Sequence, residues 1–457
     1  MRRAPVFPVD TMPRAPVQGV DLAMAIVVGC VIGLLIVLAP IAFAWGALAV
    51  VALFAVVAVL RWPQLGPAVF WLVFSVQHTV FYGFVVQGLY YPIYLLMGAT
   101  VALALLAGRL RLEFHVVWPY LLFLFALLIS LQGVRVPLDG DSLNRMFVYV
   151  IGFLVFFQFV GRSSSYLLMG VQVVASMVIS GWVVLESVQA GFVYRGGIEA
   201  DQNYVSFIVG FGVIALLALL MGSGMRAWLR VAAWIGVAIA SYALLLLASR
   251  GVFLAIIVGA IAMYARILLD ARRSVPIFLM AIVAAVLLLT LPGSDALLER
   301  LSESNLSTAN DRLPLWTAAV DAYMGSNLLE ALFGQGFEAS KPIVSAVASS
   351  LTSTHNAYLQ MLVELGLFGL VAFVLIHVTL IRRFLATRAF GSLYGLGAVL
   401  FMMVSCLSLN IPDSFVYWVA IGYLMALALH APTSNGTTPR PDAPSPLPSG
   451  TARPRGG

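Results

Sequence analysis

The sequence predicts an all-α polytopic membrane protein of about 12–14 transmembrane helices, with one large loop between late spans. Three observations carry that prediction. Hydrophobic residues make up 62% of the chain and charged residues 10%, against about 25% charged in an ordinary soluble domain. Apolar runs of roughly 18–25 residues recur between positions 21 and 431, each long enough to cross a hydrocarbon core of about 30 Å as a helix. Backbone polar groups in lipid have to be satisfied within their own segment, so the runs are read as helices. The roughly ten-residue alternation of a membrane β-barrel is absent.

Taken in order, residues 1–20 are Pro- and Arg-rich and read as a short basic cytoplasmic tail, with no cleavable leader evident. Residues 21–431 form the transmembrane domain, which includes a loop over 292–355. Its spans are expected at roughly 22–39, 42–60, 67–86, 89–107, 116–132, 146–161, 165–188, 204–221, 229–248, 252–269, 275–291, 356–380, 390–410 and 413–430. Residues 432–457, rich in Pro, Thr, Ser and Gly, read as a disordered cytoplasmic tail. Alternate loops carry Arg61, Arg109, Arg111, Arg162, Arg226, Arg230, Arg266, Arg272, Arg273, Arg382, Arg383 and Arg388. The positive-inside rule makes that side cytoplasmic and puts both termini inside. The net charge of +6 is almost all arginine scattered among these loops, and suggests no nucleic-acid partner. Cys30 and Cys406 lie in separate apolar runs and offer neither a disulfide framework nor a metal site.

Arg135, Arg145, Arg195 and Arg250 break the charge bias, because they fall near the outer ends of spans. A lone arginine there ordinarily snorkels to the headgroups. Four on one face suit a diphosphate, since the guanidinium fork donates two hydrogen bonds and keeps its charge. Asp201 and Asn203 open a span and read equally as helix caps.

The loop of about 64 residues is long enough to imply structure or function of its own. DALLERLSES reads as a short helix. A second helix is expected to start at Asn310 or Asp311, with Pro314 in its first turn. Leu313, Trp316, Val320 and Met324 share one face of it, which predicts a helix lying along the membrane surface. Gly334 and Gly336 in FGQGFE mark a tight turn. Ser353 or Thr354 is expected to cap the following span, leaving His355 in its first turn. There the helix dipole favours the neutral imidazole that a general base needs, although a capping histidine without chemistry fits the position too. Glu364, about 13 Å further along that helix, is expected deep in the membrane in a hydrogen-bonded structural role.

ASRGVFLAIIVG (248–259), DRLPLWTAAVDAY (311–323), GQGFE (334–338) and HNAYLQMLVELGLFGL (355–370) together resemble the O-antigen ligase and polymerase superfamily. YRGGIEADQNYVS (194–206) resembles its Arg, spacer, Asp-x-Asn element, with Gln202 where the family often has proline. The resemblance implies about a dozen helices with a periplasmic loop domain in the bacterial inner membrane. It also implies a metal-independent glycosyltransferase, without cofactor, that uses undecaprenyl-diphosphate-linked glycan. Carried over, Arg195 and Arg250 would hold the diphosphate, and His355 would act on the acceptor hydroxyl. Arg135, Arg145, Asp201, Asn203, Arg312 and Asn356 are further candidate substrate contacts. Lipid A–core is the favoured acceptor. A polymerase that uses a second lipid-linked glycan, or a ligase that glycosylates protein, is an alternative within the superfamily. A polysaccharide-lipid transporter without catalysis is the competing class.

Overall fold

A computed structural model describes residues 65–77, 97–99, 101–102, 114–133, 140–159, 166–190, 202–222, 225–268, 290–292, 306–347, 354–386 and 390–430. Among these residues all regular structure is helical, as expected, and no strand occurs. The helices are α1 (Leu65–Gln77), α2 (Phe114–Ser130), α3 (Gly140–Phe159), α4 (Leu167–Gln189), α5 (Gln202–Met221), α6 (Ala227–Leu247), α7 (Arg250–Leu268), α8 (Leu306–Met324), α9 (Leu328–Phe333), α10 (Ser340–Ser345), α11 (Ala357–Ala386), α12 (Phe390–Ser405) and α13 (Phe415–His430). Among the described residues five helices are long and apolar enough to cross a bilayer: α2 with the turn after it, α4, α5, α6 and α11. Shorter apolar helices accompany them within α3, α7, α12 and α13. The spans expected at 22–39 and 42–60, that at 275–291 except its last two residues, that at 89–107 except 97–99 and 101–102, the tails 1–20 and 432–457, and the helix read in DALLERLSES lie outside the described residues.

The bundle packs α3 on α13, α7 on α12, α4 on α5 and α6, and α2 on α11. Apolar contact between helices gains little over contact with lipid, so small residues and close approach take over. Gly152 and Gly422 bring α3 and α13 together backbone to backbone, and Gly259 and Gly397 do the same for α7 and α12. Aromatic side chains fill the remainder, with Trp418 stacked on Phe123 at 4.9 Å and edge-on to Tyr149 at 5.4 Å.

The span expected from 356 is not a single helix. Gly366 sits at φ 68° and ψ −172° and divides α11 into a half-helix, 357–365, and a longer helix from 367. The ring centroids of Tyr358 and Phe373 lie 5.8 Å apart across the break, where a continuous helix would separate the residues by about 22 Å. The chain therefore folds back at Gly366. This corrects the placement of Glu364, which is buried beside the last residue of α2, at the end of that span, rather than deep along a membrane-crossing helix: Ser130 Oγ donates to its carbonyl at 3.0 Å. The break frees carbonyls, and the one at Val363 accepts from Gln335 N–H at 2.9 Å. Gly334 and Gly366 meet backbone to backbone, since a Cβ on Gly334 would overlap the Glu364 carbonyl.

Further boundaries differ from expectation, two of them at the site. α8 begins at Leu306, so Pro314 lies inside it rather than in its first turn. The cap of α11 is Asn356, whose Oδ1 accepts from Tyr358 N–H at 3.0 Å and Leu359 N–H at 3.2 Å. His355 thus precedes the helix. The end of the bundle where α2 finishes, α3 begins and α8–α10 lie is called the site end below.

Candidate functional site

Three short stretches converge at the site end, and each has a local reason for its sequence. α6 stops at Leu247 because Ala248 turns left-handed, at φ 48°, with its N–H bonded back to the carbonyls of Leu244 and Leu245. Ser249 follows, and its Oγ donates to Asn203 Oδ1 at 3.2 Å, fixing the turn to the start of α5. Arg250 then opens α7 as an exposed residue, and among the described residues no carboxylate pairs with it. Gly251 is needed because a Cβ there would overlap the Ser408 side chain. The Ser-Arg-Gly triplet is therefore a docked serine, a presented cation and a gap for a neighbouring loop.

That loop, 405–414 between α12 and α13, is the hub of the site. The Ser408 carbonyl accepts from Arg312 Nη1 at 3.1 Å, which brings in α8. The Cys406 carbonyl accepts from Ala357 N–H at 2.9 Å, which brings in α11. Asn410 Oδ1 lies 3.2 Å from Thr354 Oγ1, and Trp316 Nε1 donates to the Thr354 carbonyl at 2.9 Å. Thr354 is thus gripped on both sides, and it is followed directly by His355, half-buried at φ 48°. Ser408, which abuts Gly251, and Asn410, which meets Thr354, are two residues apart, at most about 7 Å along the backbone. The hub accordingly draws the neighbours of Arg250 and of His355 towards each other.

Charge in this region comes from side chains. The first amides of the α11 half-helix are taken by Asn356 and by the Cys406 carbonyl, so its N-terminus does not offer the usual anion site. An anion arriving here would meet Arg250, which is exposed. Arg145 is placed differently. Its Nε donates to Asp413 Oδ1 at 2.7 Å, its Nη2 to Glu364 Oε2 at 2.8 Å and its Nη1 to Glu338 Oε1 at 3.4 Å, and it lies over the Phe337 ring. Gln360, Tyr149, Ser340 and Lys341 complete the cluster around the three carboxylates. Among the described residues no group of His, Cys, Asp and Glu stands in a metal-holding arrangement.

Backbone strain collects at the same places. Among the described residues only Ala248, Glu338 and His355 are non-glycines at positive φ. Such conformations cost about 1–3 kcal/mol each and persist where surroundings enforce them, commonly at functional sites. Buried polar atoms without a partner among the described residues collect here too: Ser405 Oγ, Ser408 Oγ, Asn410 Nδ2, Ser414 Oγ and Gln360 Oε1. Buried polar atoms are normally satisfied, so the hub has hydrogen-bonding capacity left for water or a hydroxyl-bearing ligand.

Residues 235–374 match the O-antigen ligase family model. That stretch carries Arg250, Arg312, His355 and Asn356, with Glu338 and Glu364 of the ion cluster. The chain is thus a multi-pass membrane protein in which the stretch from α6 into α11 is similar to the O-antigen ligase family. No curated protein matches it. Asn203, Arg145 and the hub lie outside the matched domain yet contact it. Of the residues expected at the site, Arg250, His355, Asn356, Arg312 and Asn203 are brought around the hub, and Arg145 lies in the adjoining ion cluster. Arg135, Arg195 and Asp201 fall outside the described residues. Sequence reasoning missed Ser408, Asn410, Asp413, Gln360 and Ser340. The signal for the first three is the string SCLSLNIPDS (405–414) between two apolar helices.

Proposed function

We propose that this protein transfers a glycan from undecaprenyl diphosphate to an acceptor hydroxyl, with lipid A–core as the favoured acceptor. The observation that carries the reading is the joint attachment of two motifs, an exposed Arg250 and a strained His355, to one hub. The similarity to the O-antigen ligase family, which spans both, supports the same chemistry. In the proposed reaction the acceptor oxygen forms a bond to the anomeric carbon while the bond from that carbon to the diphosphate oxygen breaks. The electron pair leaves with the diphosphate, and the hydroxyl proton passes to His355 acting as base. Arg250, with Arg195, binds the diphosphate and meets the charge that grows on it. The arginine-bearing loops support an orientation with both termini cytoplasmic and the site facing the periplasm of the inner membrane.

The test is a transfer assay with purified protein and undecaprenyl-diphosphate-linked glycan, offering lipid A–core and a second lipid-linked repeat unit in parallel. Product on lipid A–core that disappears in His355→Ala is the expected result. A ladder on the second donor would make the protein a polymerase, and movement of the lipid-linked glycan across the membrane without product would make it a transporter.

A further inference from the structure

The corner between α8 and α9 carries large apolar side chains that no described residue covers. Met324 and Leu328 are each 74% exposed and Leu329 69%. The polar side chains of Gln335, Ser326, Asn327 and Glu330 at the same corner are spent within it. Gln335 Nε2 donates to the Ala322 carbonyl at 2.6 Å and to Ser326 Oγ at 2.7 Å, while Ser326 Oγ bonds the Ala322 carbonyl at 3.0 Å. A capping box closes the start of α9, with Asn327 Oδ1 accepting from the amides of Leu329 and Glu330, and Glu330 accepting from Asn327 N–H. A corner facing water has no need to satisfy its polar groups internally, whereas one facing hydrocarbon does.

Continuity fixes which apolar phase it meets. α9 packs along α11 at Gly366, where the spanning part of that helix begins. Phe333 of α9 lies 6.1 Å from Phe368, which lies 6.2 Å from Phe125 of α2. Around this aromatic seam the spans expose Leu128, Leu367 and Val371 outward, the faces that a bilayer covers. The leucines of α9 prolong that surface beyond the end of the span. We propose that the α8–α9 corner is immersed in the bilayer leaflet at the site end, with Met324, Leu328 and Leu329 among lipid acyl chains. The outer part of the protein is thereby held to the membrane along the α2–α11 side. The inference does not rest on glycosyl transfer.

An environment-sensitive fluorophore on a single cysteine at Leu329, in protein reconstituted into phospholipid nanodiscs, tests it. Leu367→Cys, on the span itself, is the reference, and Leu328→Cys is a second site should the first fail to fold. Lipids spin-labelled on the acyl chain should quench the Leu329 label to within about twofold of the Leu367 label, as shallow immersion requires. A Leu329 label left unquenched and water-like, beside a quenched Leu367 label, overturns the proposal. So does a label that is dry but unquenched by lipid and depends on protein density, which would mean that a second copy covers the corner.

Discussion

His355 occupies the left-handed backbone region, which residues other than glycine adopt rarely, at φ 48°, and this separates its geometric role from its chemical one. Asparagine accepts the left-handed region more readily but supplies no base. His355→Asn should therefore keep the melting temperature of the purified protein and lower transfer by about 10²–10⁴-fold. A full-activity variant would remove His355 from the reaction. Ala248 is the converse case, a strained position with a methyl side chain. Ala248→Gly should stabilise the fold by up to about 1 kcal/mol, read from thermal unfolding in detergent, because glycine enters this conformation without the Cβ clash. Arg250→Lys keeps the charge and loses the planar fork, so donor KM should rise more than kcat falls. At this scale the sequence was informative: Arg250 and the histidine could be singled out from charge placement and helix position, and the triplet at 249–251 from the family resemblance. What could not be read was the reason for Gly251, because the Ser408 side chain that occupies its gap is 157 positions away in a polar string that carries no motif.

Among the elements, the fold-back in α11 is the departure that matters most. ELGLFGL reads as uninterrupted helix, since isolated glycines within an apolar helical run are ordinarily tolerated. The cause of the break is remote. Gly334 and the Leu332 carbonyl press on Gly366, and Gln335 and Ser130 take up the two carbonyls that the break releases. Gly366→Ala adds a Cβ at φ 68°, 2.5 Å from the Leu332 carbonyl oxygen, and should cost at least about 1–3 kcal/mol. The loss should appear as a lower melting temperature together with lost transfer. Most helix termini elsewhere followed the apolar pattern to within about two residues, because in lipid the length of an apolar run is itself the constraint. By contrast α3 starts at Gly140 rather than 146, and α12 ends at Ser405 rather than 410. The start of α8 did not follow it either, as its caps had been sought around Pro314 and the helix runs through it.

At the level of the whole molecule, one buried guanidinium ties together α3, the 334–340 turn, the half-helix and the hub. Its carboxylate partners lie 193, 219 and 268 positions away in the chain, so charge pattern alone placed Arg145 with the exposed arginines instead. Arg145→Ala leaves Glu364 unpaired at 1% side-chain exposure and should cost about 3–5 kcal/mol. Pairing it with Glu364→Gln should recover part of that loss in the same thermal unfolding measurement, as it removes the most deeply buried stranded charge.

The hub at 405–414 also bears on how such proteins can be recombined. A chimera that exchanged only residues 235–374 with another sequence carrying the same domain would transplant the arginine and the histidine but leave behind the strut on which both lean. Thr354 would then face a foreign side chain in place of Asn410, and the Gly251 gap would meet something other than Ser408. Exchange of acceptor preference between two such proteins should therefore succeed only when the segment joining their last two helices travels with the domain.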